Sequence, residues 1–214
     1  MIRLHYYPGN ASLVPHILLE ELGEKFELCY VDRAANAQKS PAYLKLNPNG
    51  QIPVLVEDAL VIYETAAICL HLADTRSAAG LAPAPGTPAR AEYYQWMAWL
   101  TNTLQATLIV YFYPDRWVEP GNAAGAAQVK AQAEAKAGAM LDQLEAQLAH
   151  GKDWFAGGTY SALDPYVLVM CRWTRGFGRP ARSLPRIGQY LNRMLARPAV
   201  QRAFAAEKLA PPLV

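Results

Sequence analysis

Three short stretches carry the residues able to do chemistry. Tyr6, Asn10 and Ser12 surround a Pro8-Gly9 turn, and all three side chains can donate a hydrogen bond. In Pro48-Asn49-Gly50-Gln51-Ile52-Pro53-Val54-Leu55-Val56, a proline opens a strand. Proline is tolerated at a strand's first residue, and about one X-Pro bond in twenty is cis. In Tyr63-Glu64-Thr65, an acid and a hydroxyl start a helix. They would serve as an ordinary cap. The free N–H groups and positive dipole end of that helix also suit a carboxylate. A proline strand beside a helix N-terminus is a place to hold a small peptide that carries its own carboxylates.

Other chemistries find less support. His5, His16, His71 and His150 show no metal-like spacing, so no metal site is expected. Cys29, Cys69 and Cys171 are odd in number, far apart and set among apolar residues. They read as reduced thiols of a cytoplasmic protein. The N-terminus has neither a signal-peptide core nor a cleavage site, and no apolar run reaches the roughly 18 residues of a membrane span. The net charge is +2 but unevenly spread, with eight arginines and one lysine against Glu207 between Cys171 and Lys208. Such a stretch is either a solvated helical surface or a field that attracts anions. It lacks interleaved aromatics and any nucleic-acid reader motif, so no nucleic-acid partner is expected.

The elements that position these residues follow from periodicity. At 214 residues and 52% hydrophobic composition, the chain can bury one large core or two small ones. Leu4-His5-Tyr6-Tyr7 reads as a strand, followed by a helix with Leu13, Val14, Ile17, Leu18 and Leu22 on one face. Asn10 or Ser12 would cap that helix, and Gly23 would stop it. Phe26 to Val31 is a second strand, and 32–47 is loop plus a short helix. Strands at 53–56 and 60–63 flank a turn, and a helix runs from Thr65 to Ala73. Residues 75–89, rich in Ala, Pro and Gly, break every period. Helices follow at about 89–112, 125–149, 167–173, 184–196 and 198–207. Ser161 and Asp164 have capping-box spacing: the serine hydroxyl accepts from the third helical N–H, and the aspartate reaches back to the serine N–H.

Taken together, the chain resembles cytosolic glutathione transferases over essentially its whole length. The matching segments are Tyr6 to His16, Asn47 to Leu55, Tyr63 to Ile68 and Phe155 to Tyr166. The resemblance is to bacterial, beta-class enzymes. It implies an α/β plus all-α architecture: a thioredoxin-like glutathione-binding domain over 1–77, a linker over 78–88 and an all-helical domain over 89–214 that contributes the electrophile site. It further implies a homodimer, for which the sequence offers candidate surfaces around Tyr93, Trp96 and the second helix of the helical domain. Glutathione is the implied co-substrate, with no permanently bound cofactor and no membrane partner. The reaction is conjugation of the thiolate to a small hydrophobic electrophile, or reduction of a peroxide. A non-enzymatic glutathione-binding module and a glutathione-dependent disulfide reductase are the alternatives.

The resemblance also assigns roles. Pro53 would be cis, so that the Ile52 N–H and C=O pair with the main chain of glutathione's cysteine as an added strand would. Thr65 would hold the γ-glutamyl carboxylate and Glu64 the γ-glutamyl amine, with Gln51 and Asn49 as polar neighbours. Tyr111, Phe112, Tyr113, Trp117, Trp173 and Phe177 would line the electrophile site, although their pattern also fits ordinary core. The match fails at one point. Where beta-class enzymes carry a cysteine and a histidine, this chain has Ala11 and Gln105. A free thiol has a pKa near 8.5, and lowering it by about two units takes roughly 2.7 kcal/mol. Ser12, Asn10 and Tyr6 are the three candidate donors, with Ser12 placed first for its position at the helix start.

Overall fold

The computed structural model describes residues 1–151, 153–155 and 158–214. Strand β1 (Ile2–Tyr6) sends Ile2 and Leu4 into the core, as the two-residue period of a strand requires. Helix α1 (Leu13–Leu22) ends at Gly23, and β2 (Phe26–Tyr30) returns parallel to β1. The short helix α2 (Pro41–Leu44) is capped by the Ser40 hydroxyl, which accepts the Tyr43 N–H at 3.2 Å. Strand β3 (Val54–Glu57) runs antiparallel to β1, and β4 (Leu60–Tyr63) folds back on β3 through Asp58. The sheet order is β2-β1-β3-β4, and α3 (Thr65–Thr75) completes this thioredoxin-like half.

Among the described residues the chain after Tyr63 contains no strand. Helix α4 (Pro88–Trp99) is capped by Thr87, whose hydroxyl accepts the Arg90 N–H at 3.2 Å. The sequence predicts one helix over 89–112. The structure instead has α4, a π-helical stretch at Leu100–Gln105, and α5 (Ala106–Phe112). Helix α6 (Ala123–Gln147) starts at Asn122, which accepts the Gly125 N–H. Helices α7 (Leu163–Trp173), α8 (Pro185–Leu195) and α9 (Pro198–Ala206) follow. One apolar core runs through both halves, because α1 packs on α3, α7 and α9. No helix among the described residues is long and apolar enough to cross a membrane.

Helix α7 begins four residues earlier than its apolar run predicts, because Asp164 and Pro165 sit inside its first turn. The aspartate half of the capping box is as expected, with the Ser161 N–H donating to Asp164 Oδ2 at 2.7 Å. The serine half differs: its hydroxyl accepts from Leu163 N–H at 3.3 Å, and Asp164 N–H goes to the Ser161 carbonyl. Fully buried Asp164 also accepts from Phe155 N–H and Tyr190 Oη, each at 2.9 Å. Burial pushes this carboxyl up to about 6, against the four donors that favour its ionised form.

The basic C-terminal stretch is largely neutralised by acids from distant elements. Arg197 and Arg202 pair with Glu21 and Glu20 of α1, and Arg179 and Arg186 with Asp142 and Glu145 of α6. Arg193 reaches Asp153. Two arginines of α7 and the turn after it, Arg172 and Arg175, have no carboxylate within ion-pair distance among the described residues.

Candidate active site

Two adjoining cavities of about 230 and 210 Å³ form one cleft where the loops after β1 and β2 meet the ends of α5 and α7. Both are lined by Asn10, Arg33, Ile109, Tyr113 and Trp173. The first adds Gly50, Gln51, Ile52 and Lys39, and the second adds Tyr7, Phe112 and Arg175. A site at the carboxyl end of the parallel strands is the usual place in open α/β sheets.

The Ile52–Pro53 peptide bond is cis. The ladder between β1 and β3 begins only at Val54, and the Ile52 N–H and C=O have no partner among the described residues. The adjacent Gln51 carbonyl is held firmly: it accepts from Tyr43 Oη and from Asn47 Nδ2, each at 2.9 Å. Gly50 has φ +59°, and a Cβ there would lie 2.7 Å from Lys39 Nζ and 2.8 Å from the Gln38 carbonyl. Only glycine fits so close an approach. The edge offered at Ile52 is therefore an open hydrogen-bonding pair on a rigid support, as β-augmentation by a peptide requires.

Glu64 has φ 72° and ψ 117°, a sparsely populated backbone of the kind that persists where surrounding structure enforces it. No side chain caps α3, so the N–H groups of its first turn stay available. Thr65 is buried and Glu64 exposed, and neither lines the two cavities. Gln51 lines the first cavity. Asn49 does not; its carbonyl accepts from Lys39 Nζ at 3.0 Å.

The three candidate donors separate clearly. Ser12 is fully buried. Its hydroxyl donates to the Tyr7 carbonyl at 3.2 Å and accepts the Tyr7 N–H at 3.3 Å, and it does not cap α1. The serine therefore closes the β1–α1 turn on itself, and its one proton is spent. Tyr6 packs its ring against His16 and Tyr30, and its phenol is pushed upward by burial and then by the Glu207 charge. Asn10 lines both cavities. Its Oδ1 accepts the Ala11 N–H at 2.5 Å, which fixes the amide orientation and leaves the NH₂ group with no acceptor among the described residues. Gln105, in the π-helical stretch, also lines the first cavity, and its Oε1 accepts the hydroxyl of buried Tyr166. A second amide NH₂ is thus presented to the same space.

Of the six aromatic residues proposed for the electrophile wall, Phe112, Tyr113 and Trp173 line the second cavity. Tyr111 and Phe177 are core residues, with ring centroids 4.6 Å apart. Trp117 is 61% exposed and lines neither cavity. The sequence reading missed Tyr7, Arg33, Lys39, Arg116 and Arg175. Arg33 lies over the Tyr7 ring at 5.2 Å and donates to Tyr113 Oη at 2.7 Å. Its place just beyond the parallel strand β2 was the one available signal.

The open strand edge, the uncapped helix start and the amide-lined cleft belong to a four-stranded thioredoxin-like sheet joined to a helical second half. The family model for the glutathione S-transferase N-terminal domain matches residues 2–74, and that for the C-terminal domain matches residues 127–205. The glutathione S-transferase GST-4.5 of Xanthomonas campestris is 34% identical over 97% of this chain and 100% of its own. A glutathione S-transferase from Xylella fastidiosa superposes with a TM-score of 0.89 at 31% identity, covering 98% of this chain and 100% of that one. A sphingomonad glutathione S-transferase, solved in complex with glutathione, gives 0.83 at 33% identity over 97% and 100%. The chain belongs to the glutathione S-transferase family. It is an enzyme of that class, with glutathione as its co-substrate.

Proposed function

We propose that glutathione lies in the first cavity, its cysteinyl main chain paired with Ile52 and its sulfur beside Asn10. The γ-glutamyl carboxylate takes the N–H groups and hydroxyl at Thr65, with Glu64 on the γ-glutamyl amine. The other carboxylate faces Lys39 and Arg33. The observation that carries this reading is the open Ile52 edge on a cation-lined cavity that Asn10 also lines. The Asn10 NH₂ supplies a charge-assisted hydrogen bond to the sulfur, favouring thiolate over thiol. The thiol proton leaves to water, so no general base is needed. The thiolate attacks a hydrophobic electrophile held between Phe112, Tyr113 and Trp173, and the enzyme contributes positioning and thiolate stabilisation. The same thiolate would serve for peroxide reduction.

Exposed Leu60 and Val61 on the edge strand β4, with Tyr94 on α4, offer an apolar surface for a second copy of the chain. Tyr93 is fully buried and unavailable to a partner. Sedimentation at micromolar concentration should give a dimer.

The test of the site is an ultraviolet titration of the glutathione complex. The thiolate band should be present at neutral pH and disappear with an apparent pKa well below that of free glutathione. A band that appears only at the free-thiol pKa would overturn the reading.

A further inference from the structure

We propose that the electrophile carries an anion, and that it is an activated aromatic ring bearing a carboxylate read by Arg175. The inference rests on the transferase reading above and names the substrate class of its second cavity.

Three arginines in this stretch have no carboxylate within ion-pair distance among the described residues, and of these Arg175 is the one that lines the cleft. Five of the eight arginines between Cys171 and Lys208 pair with carboxylates of α1, α6 or Asp153. Arg182 donates to the main-chain oxygen of Val214, and Arg172 to those of Pro212 and Leu213. Arg175 donates through Nη1 to the Arg172 carbonyl and has no carboxylate within ion-pair distance among the described residues. It is partly buried and lines the aromatic cavity. A guanidinium in that position has lost hydration without gaining a counter-ion, and burial pushes its pKa down accordingly.

Glutathione does not supply the missing charge. Lys39 and Arg116 line only the first cavity and Arg33 lines both, whereas Arg175 lines only the second. The γ-glutamyl carboxylate goes to the start of α3 and the other to Lys39 and Arg33, so neither reaches Arg175. No acidic side chain lines either cavity. The second cavity therefore combines the ring walls of Tyr7, Phe112 and Trp173 with a guanidinium whose fork matches a carboxylate. A ring stacked on those walls places its carboxylate at Arg175 and its reactive carbon toward the sulfur at Asn10. For an aryl halide, the sulfur–carbon bond forms as the carbon–halogen bond breaks, and halide departs with the electron pair.

The test compares two conjugates that differ only in the anion: S-(2,6-dinitrophenyl)glutathione and its 4-carboxyl analogue. Calorimetric Kd values are measured for each, and for free glutathione, on the intact protein and on Arg175→Leu. The carboxyl conjugate should bind about tenfold more tightly to the intact protein, one charge-assisted hydrogen-bonded contact at a partly solvated site. In Arg175→Leu the ratio should fall to about one. A ratio near one in the intact protein, with glutathione still bound, overturns this inference alone. The same holds for a ratio unchanged in Arg175→Leu, with circular dichroism and the glutathione Kd reporting that the variant is folded. Failure of glutathione and both conjugates to bind overturns the transferase site and this inference together.

Discussion

Glu207 accepts the Gly9 N–H at 2.7 Å across 198 residues of chain. Its other oxygen accepts from the ring Nδ1 of His16 at 2.8 Å, and both side chains are fully buried. The Gly9 carbonyl accepts the indole N–H of Trp173 at 3.0 Å. Both faces of the Gly9 peptide are thus held by the helical half, one residue before Asn10, at a left-handed φ of +66° that glycine adopts without penalty. Removing Glu207 leaves the buried His16 ring donor and the partly buried Gly9 N–H unmet. Glu207→Ala should destabilise the fold by about 2–4 kcal/mol in urea unfolding. It should also lower kcat for a neutral aryl halide, because the turn carrying Asn10 is loosened.

Asn10 and Ser12 should respond differently to removal. Asn10→Ala deletes the amide donor proposed for the sulfur, and the bound thiol pKa should rise by about one unit, the equivalent of a charge-assisted hydrogen bond. Ser12→Ala breaks the closure of the turn on Tyr7 and should appear as a stability loss of about 1–2 kcal/mol, with the thiolate band little moved. Titrating the band in both variants checks this. A larger shift in Ser12→Ala would return the serine to the mechanism.

Asp164 is held by Phe155 N–H, Ser161 N–H and the Tyr190 hydroxyl. An amide in its place turns an NH₂ toward one of those donors. Asp164→Asn should cost roughly 2–4 kcal/mol, while Tyr190→Phe, which removes a single donor, should cost about 1 kcal/mol. Chemical unfolding of both variants measures the difference.

Glu57 gives the fold an acid-sensitive contact. Its hydrogen bonds to Arg76, and then to His71, hold its carboxyl down to about 2. A depressed carboxyl contributes stability that is complete above its unfolded-state value and is lost as pH falls toward the folded one. Glu57→Gln should therefore be less stable than the parent at pH 7, and the gap should close between about pH 4.5 and 2. Melting curves across that range would show it, and a constant gap would count against the assignment.

The fold was legible where the decisive signals are local. Alternation in β1, the continuous apolar run of β3, Gly23 after α1, and the acid-hydroxyl start at Glu64-Thr65 each act within a few residues. The place of the open edge at Ile52 and the cis bond to Pro53 was readable for the same reason. The donor was not, because Asn10 and Ser12 are two residues apart in one turn. Which of them faces the cleft depends on the closure of Ser12 onto Tyr7, a backbone detail that spacing does not encode. The π-helical turn at Leu100–Gln105 has no breaker residue to announce it, and it carries Gln105. The aromatic wall of the cleft was half legible: Tyr111 and Phe112 are adjacent on one helix, and only packing against Phe177 decides which of them is core. Arg175 was hidden because its lack of a carboxylate is a property of acids 30 to 155 residues away, which pair with its neighbours instead.

That pairing also shapes how small anions arrive. The arginines of α8 and α9 are paired at short range with acids of α1 and α6 and with Asp153. Arg33, Lys39, Arg116 and Arg175, none with a carboxylate within ion-pair distance among the described residues, all border one opening. Within about 8 Å, the screening length at physiological ionic strength, an anion at that opening is drawn by several of these cations at once. Capture is therefore the step that added salt slows, and escape is left to the contacts within the cleft.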